Sequence, residues 1–252
     1  MRPILIQLGE FAIPSYGFML VVSFLAAIIF ARRAAKKFDI STDTIDSMAF
    51  YLMLGVIIGG RILYVIFHWS QYAHDVVGII RIWEGGMMFF GGFLGALVAS
   101  ILFLKKHNLP VLQIGDLVAP AIGLGEFFTR IGCFLNGCCF GTPSTLPWAL
   151  QFPEECVAGN SPVAQFRLHP TQLYASLFGL MLFFFLRNRL YKKHNTGEVF
   201  ALYLVFSGIF RFGIDFIRFY EDSANLWVNQ IIALGTAIAG IVIFLRSRQK
   251  TN

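Results

Sequence analysis

Between Gly125 and Gly141 the chain reads GEFFTRIGCFLNGCCFG, a stretch apolar enough for a bilayer core that nonetheless carries Glu126 and Arg130. A charged side chain at the centre of a bilayer costs about 2.5–3.5 kcal/mol on insertion scales, so such groups turn toward each other, a polar cavity or a ligand. Four residues apart on a helix, Glu126 and Arg130 share a face and can pair. The same spacing recurs in Arg211 and Asp215, and Arg61 is a third cation in an apolar run. Two readings are open. The charges are ion pairs that hold helices together, or they line a polar cavity in which Arg130 and Arg211 hold an anionic lipid headgroup. The second uses the guanidinium fork, whose parallel N–H donors match phosphate oxygens. Three arginines against two acids leave a positive excess for that anion.

Other groups surround this stretch. Asn136 can orient a headgroup. Gly85-Gly86 and Gly137 to Gly141 lie near the ends of apolar runs, where a bent backbone can offer N–H groups to an anion. Gly91 and Gly95 have the GxxxG spacing of closely packed membrane helices. Cys133, Cys138, Cys139 and Cys156 stand as CxxxxCC and a distant fourth, which fits neither a paired CxxC zinc site nor a thioredoxin-type CxxC. Cys156 forms a disulfide with Cys138 or Cys139, or the thiols pack as small apolar groups, or, the reading least favoured, one of them is catalytic. His169, in LHPTQLY, is a base or a loop residue; His68, His74, His107 and His194 read as solvated. Tyr16 and Tyr64 read first as residues of an interfacial belt.

These groups need a membrane scaffold. Of the 252 residues, 57% are hydrophobic and 13% charged, far from a soluble balance. The expected class is all-α and polytopic. Apolar runs place seven spans at about 15–31, 47–67, 86–104, 111–134, 170–186, 198–217 and 226–245, each near the length needed to cross. Residues 1–14 read as an amphipathic lead-in, 68–84 as an interfacial stretch, and 142–169 as an extracytoplasmic loop of a single membrane domain. No small-residue cleavage site follows the first apolar run. The net charge of +6 does not point to nucleic acid, because it clusters beside the spans. The tails RRAAKK, KK, RNRLYKK and RSRQK hold every lysine; Arg2, Arg61, Arg81, Arg130, Arg167, Arg211 and Arg218 lie elsewhere. Lysine and arginine mark cytoplasmic loops, so the N-terminus is expected outside and the C-terminus inside.

The motifs SYGFM at 15–19, GGRILYV at 59–65, WEGGMMFFGGFLG at 83–95, GDLVAP at 115–120, TRIGCFLNGCCFG at 129–141, LHPTQLYA at 168–175 and FRFGIDFIR at 210–218 resemble those of the phosphatidylglycerol–prolipoprotein diacylglyceryl transferases of bacterial membranes. The likeness covers nearly the whole chain in the family's order. It implies transfer of the diacylglyceryl group of phosphatidylglycerol to the lipobox cysteine of a preprolipoprotein, with glycerol phosphate leaving. It implies a multi-pass protein of the bacterial cytoplasmic membrane and calls for no cofactor or metal. By this resemblance Arg130, Asn136 and Gly141 sit on the family's signature and Arg211 on its second arginine. Tyr16, Arg61, His169, Gln172 and Gln230 coincide with further positions.

The chain departs from the family at several places. Phe90 stands where histidine or tyrosine is usual, Thr129 where glycine is, Ala175 where glutamate is, Ser207 where tyrosine is, and Asp215 where glutamate is. The base is then Glu126, Asp215 or His169. Three other functions stay open at this point: a divergent homologue with another acceptor, an anion transporter, and a membrane thiol oxidoreductase. A transporter calls for internal repeats, and an oxidoreductase for the cysteines rather than Arg130.

Overall fold

A computed structural model describes residues 1–9, 11–73, 75–221 and 223–249; His74 lies outside them. The fold is mostly helical. Its elements are strands β1 (Ile4–Leu8) and β2 (Phe11–Pro14) and helices α1 (Ser15–Ala35), α2 (Thr42–Phe67), the single turn α3 (Trp69–Tyr72), α4 (Phe89–Lys106), α5 (Val111–Asn136), α6 (Thr171–Tyr191), α7 (Glu198–Ile214) and α8 (Ser223–Gln249). Among the described residues five helical segments are long and apolar enough to cross a membrane: Ser15–Phe38, Thr42–Phe67, Val111–Asn136, Thr171–Tyr191 and Leu226–Gln249. The helices α4 and α7, of 18 and 17 residues, occupy the remaining two expected runs.

Contacts divide the chain into two compact units, Arg32–Val111 and the remainder. In Arg32–Val111, α2 packs on α4 through glycines from both helices. A Cβ on Gly59 would strike Gly91 O, one on Gly91 would strike Gly59 O, and Gly55 and Gly95 block each other likewise. Backbone therefore lies on backbone, as small residues permit in lipid. Arg61, buried on α2, donates from Nε to Ile79 O at 2.8 Å, from one terminal nitrogen to Gly85 O and Gly86 O at 2.6 and 2.9 Å, and from the other to Gly78 O and Arg81 O at 2.6 and 3.3 Å. Its guanidinium sets the path of the loop at 78–86, which holds two 3₁₀ turns.

The second unit holds Met1–Ala31 and Leu112–Asn252. Its first residues, read from the sequence as an amphipathic lead-in, are a hairpin, β1 antiparallel to β2. Ser15 closes the hairpin base, its N–H on Pro3 O at 2.8 Å and its hydroxyl on Arg2 O. Ser23 on α1 donates to Gly125 O on α5 at 2.8 Å. Gly123 and Gly179 let α5 meet α6, and Gly208 lies on Ala233 and Ala237 where α7 meets α8. Buried Asp116 accepts from the N–H groups of Gly197 and Phe200 at 2.6 and 2.8 Å, supplying the free donors at the start of α7 with an acceptor. The loop after α5 has its own small core of Phe140, Phe152, Cys156, Ala158 and Leu168.

Candidate active site

Four elements of this second unit surround a cavity of about 230 Å³. From α5 come Glu126 and Arg130, and from the turn after it Cys139. From α7 come Tyr203, Ser207 and Arg211; beyond its end comes Arg218, and from α8 Asn229. Phe178, Phe210 and Ile232 complete an apolar part of the wall. Helical periodicity explains the first group, because Glu126 and Arg130 lie one turn apart and project to one side. Their charged ends are 3.6 Å apart.

Arg211 is held by three partners. Its Nε lies 3.1 Å from Asp215 Oδ2, and its terminal nitrogen donates to Tyr220 Oη at 3.0 Å and to Asn229 Oδ1 at 3.4 Å. Tyr220 in turn donates to Asp215 Oδ1 at 2.7 Å. Asp215 is itself buried and ends the helix, its N–H on Arg211 O. Side chains fixed in this way hold a guanidinium in one orientation before any anion arrives. With Arg218, the cavity and its immediate support hold three guanidinium groups and two carboxylates. The charge sum is that reached from the sequence, with Arg218 in the place given there to Arg61.

The remaining sequence candidates fall in several places. Arg61 belongs to the other unit, with its donors on five carbonyls. His169 is not among the cavity-lining residues; its Nδ1 lies 3.4 Å from Tyr174 Oη, which accepts from Trp148 Nε1 at 2.7 Å. Gly141 is wedged between His169 and Ile217, where an added Cβ would come within 2.6 Å of each. Its N–H donates to His169 O at 2.9 Å, and those of Gly85 and Gly137 donate to Ile82 O and Phe134 O. These amides are thus occupied by carbonyls, not presented to an anion as the glycine clusters suggested. Gln172 is buried and donates to Cys138 O at 2.8 Å. Gln230 is buried on α8, and Asn136 is the last residue of α5. Tyr16, at the start of α1, lies against Gly132 of α5 and is 38% exposed. All four cysteines are free thiols. The disulfide considered for Cys156 does not form, because Cys156 sits in the loop core with its thiol on Pro153 O at 2.9 Å.

Sequence reasoning left Arg218, Tyr203, Asn229 and Cys139 out of the site. The signal for Arg218 was present in FRFGIDFIR, seven residues after Arg211, but α7 ends between them and only the chain reversal brings the two together.

Comparison with known proteins gives one answer. The family model described as prolipoprotein diacylglyceryl transferase matches residues 3–246. A phosphatidylglycerol–prolipoprotein diacylglyceryl transferase of Clostridium tetani is 37% identical over 97% of this chain and 97% of that protein. Proteins with the same name from Chromohalobacter salexigens and Pseudoalteromonas translucida are 35% and 36% identical, over 98% and 99% of this chain and 93% and 95% of their own lengths. The chain belongs to the prolipoprotein diacylglyceryl transferase family.

Proposed function

We propose that this protein transfers the diacylglyceryl group of phosphatidylglycerol to the lipobox cysteine of preprolipoproteins; its relatives are named as phosphatidylglycerol–prolipoprotein diacylglyceryl transferases. The observation that carries the assignment of residues is the meeting of Arg130, Arg211 and Arg218 on one cavity. The lipid phosphate binds among them. The acceptor thiol loses its proton, since the thiolate is the nucleophile. Sulfur attacks the glyceryl carbon that bears the phosphoester, the C–S bond forms as the C–O bond breaks, and glycerol phosphate leaves with the electron pair. The arginines stabilise the charge on that leaving group. Glu126 lines the cavity and takes the thiol proton once phosphate competes for Arg130; Asp215 holds Arg211, and His169 supports the loop that carries Gly141. Asn136, Gln172, Tyr16 and Gln230 shape the lipid's surroundings, and Arg61 shapes the loop at 78–86.

The chain works as one domain of the cytoplasmic membrane, with seven spans, an outer N-terminus, an inner C-terminus and residues 142–169 outside. Membership of the family disfavours the transporter, oxidoreductase and other-acceptor readings. The test is transfer from labelled phosphatidylglycerol to a lipobox peptide by purified protein. Arg130→Ala and Arg211→Ala are each expected to lower kcat/KM by about 10²–10³, the size of effect seen when a group that stabilises developing charge is removed. Both variants remain in the membrane fraction. Full activity of either variant would remove the scheme.

A further inference from the structure

Cys133, Cys138 and Cys139 do not have a metal-binding spacing in the sequence, yet folding draws their sulfur atoms to within 4.8 Å of one another. The turn that does this is fixed from outside. Cys133 is buried on α5. Gly137, at φ 72°, reverses the chain, and Cys139 takes φ 62°, a left-handed conformation that costs a residue with a Cβ. Thr171 Oγ1 donates to Cys139 O at 2.7 Å and Gln172 Nε2 to Cys138 O at 2.8 Å. Two side chains at the start of α6 thus pin the strained turn and aim its thiols toward Cys133. The fourth cysteine, Cys156, stands apart from this cluster.

We propose that Cys133, Cys138 and Cys139 bind a thiophilic divalent ion of the zinc class. A Zn–S bond of about 2.3 Å sets three sulfurs about 4 Å apart, so the cluster closes on an ion by small side-chain movements. Thiolates select zinc-like ions over calcium or magnesium. Three thiolates around a divalent ion carry a net negative charge, and Cys139 shares its cavity with Arg130 and Arg218. Sites with three protein ligands keep a fourth position for water or substrate, whereas structural zinc sites fill all four. Given the transferase reading above, Cys133, Cys138 and Cys139 would hold the ion through their sulfurs, and the ion would lower the pKa of an acceptor thiol that took the open position, with Glu126 as the group that would accept its proton.

The test uses the full-length protein, purified in detergent with a reductant present, and Cd²⁺ or Co²⁺ alone as the probe. The expected result is binding of one equivalent, with a thiolate-to-metal charge-transfer band and protection of three thiols from alkylation. Cys133→Ser, Cys138→Ser and Cys139→Ser each lose the band, and Cys156→Ser keeps it. A peptide with a single cysteine shifts the Co²⁺ spectrum; the same peptide with serine does not. A wild-type protein with no band and no protected thiols, or with a disulfide within the cluster, overturns the site, whatever the serine variants do. A band that the cysteine peptide leaves unchanged overturns the open fourth position. Metal binding is read without lipid, so its failure is separate from a failure of the arginine variants in transfer.

Discussion

At the scale of single residues, the site depends on how its guanidinium groups are held. Arg218 lines the cavity but stands on no helix, and its charge lies over the Tyr220 ring at 5.5 Å. Arg218→Ala is expected to lower kcat/KM for transfer by about 10². Arg218→Lys should recover only part, because lysine keeps the charge and loses the fork. Equal activity of Arg218→Ala and wild type would exclude this arginine from the site.

Tyr220 links Arg211 to Asp215, and burial, with its bond to Asp215, pushes its phenol up to about 12. A folded-state value raised above the ordinary value of about 10 means that the folded protein prefers the neutral phenol. The stabilisation is therefore complete below about pH 10 and is lost as pH rises through the folded value. A spectrophotometric difference titration of wild type against Tyr220→Phe should show a midpoint near 12; a midpoint near the ordinary value would mean that the phenol is neither buried nor bonded to Asp215. Glu126, Arg130 and Arg211 were legible because i and i+4 positions share a helix face. Arg218 and Tyr220 were not, because their positions follow from a turn that no periodicity describes.

At the scale of elements, helix packing depends on where a side chain is missing. Gly91 and Gly95 were readable as a packing motif in the sequence. Gly55 and Gly59 have the same spacing, but which small-residue motif meets which is set by the fold: the two motifs face each other across α2 and α4. Gly59→Ala would put a methyl group against Gly91 O and 2.8 Å from Gly95 Cα. Backbone cannot step aside as a flexible side chain does, so the cost is that of overpacking, about 1–3 kcal/mol. Thermal unfolding in detergent should show a lower midpoint for Gly59→Ala. Gly235→Ala, which meets nothing within 4 Å, should show no such drop; equal midpoints for the two variants would mean that α2 and α4 are not in backbone contact. Helix bounds were legible to within a few residues for α5 and α7, whose ends are marked by Pro110 and Gly137 and by Gly197. The hairpin at 4–14 was not, because short apolar runs serve strand and helix equally and only pairing decides between them.

At the scale of the whole molecule, charge placement is the feature with the widest consequence. Every lysine lies in a tail beside an apolar run, and the arginines outside those tails include Arg130, Arg211 and Arg218 of the cavity and Arg61 of the 78–86 loop. The two cations do different work. Lysine at a span end favours the cytoplasmic side, while arginine's fork of N–H donors suits carbonyls, as at Arg61, or the phosphate proposed for the cavity. Seven crossings of the apolar runs would bring all the tails to one side, and the proposed topology then has the C-terminus inside and the loop at 142–169 outside. A fluorescent protein fused after Asn252 should then fluoresce, and alkaline phosphatase inserted after Ser161 should be active. Phosphatase fused after Asn252 should be inactive. Activity at the C-terminal fusion together with silence at Ser161 would invert the topology. It would place the arginine cavity's loop toward the cytoplasm, away from the face on which the proposed acceptor thiol would arrive. Orientation and the proposed chemistry are thus tied together, because that thiol would have to arrive on the same side as the turn that carries Cys138, Cys139 and Gly141.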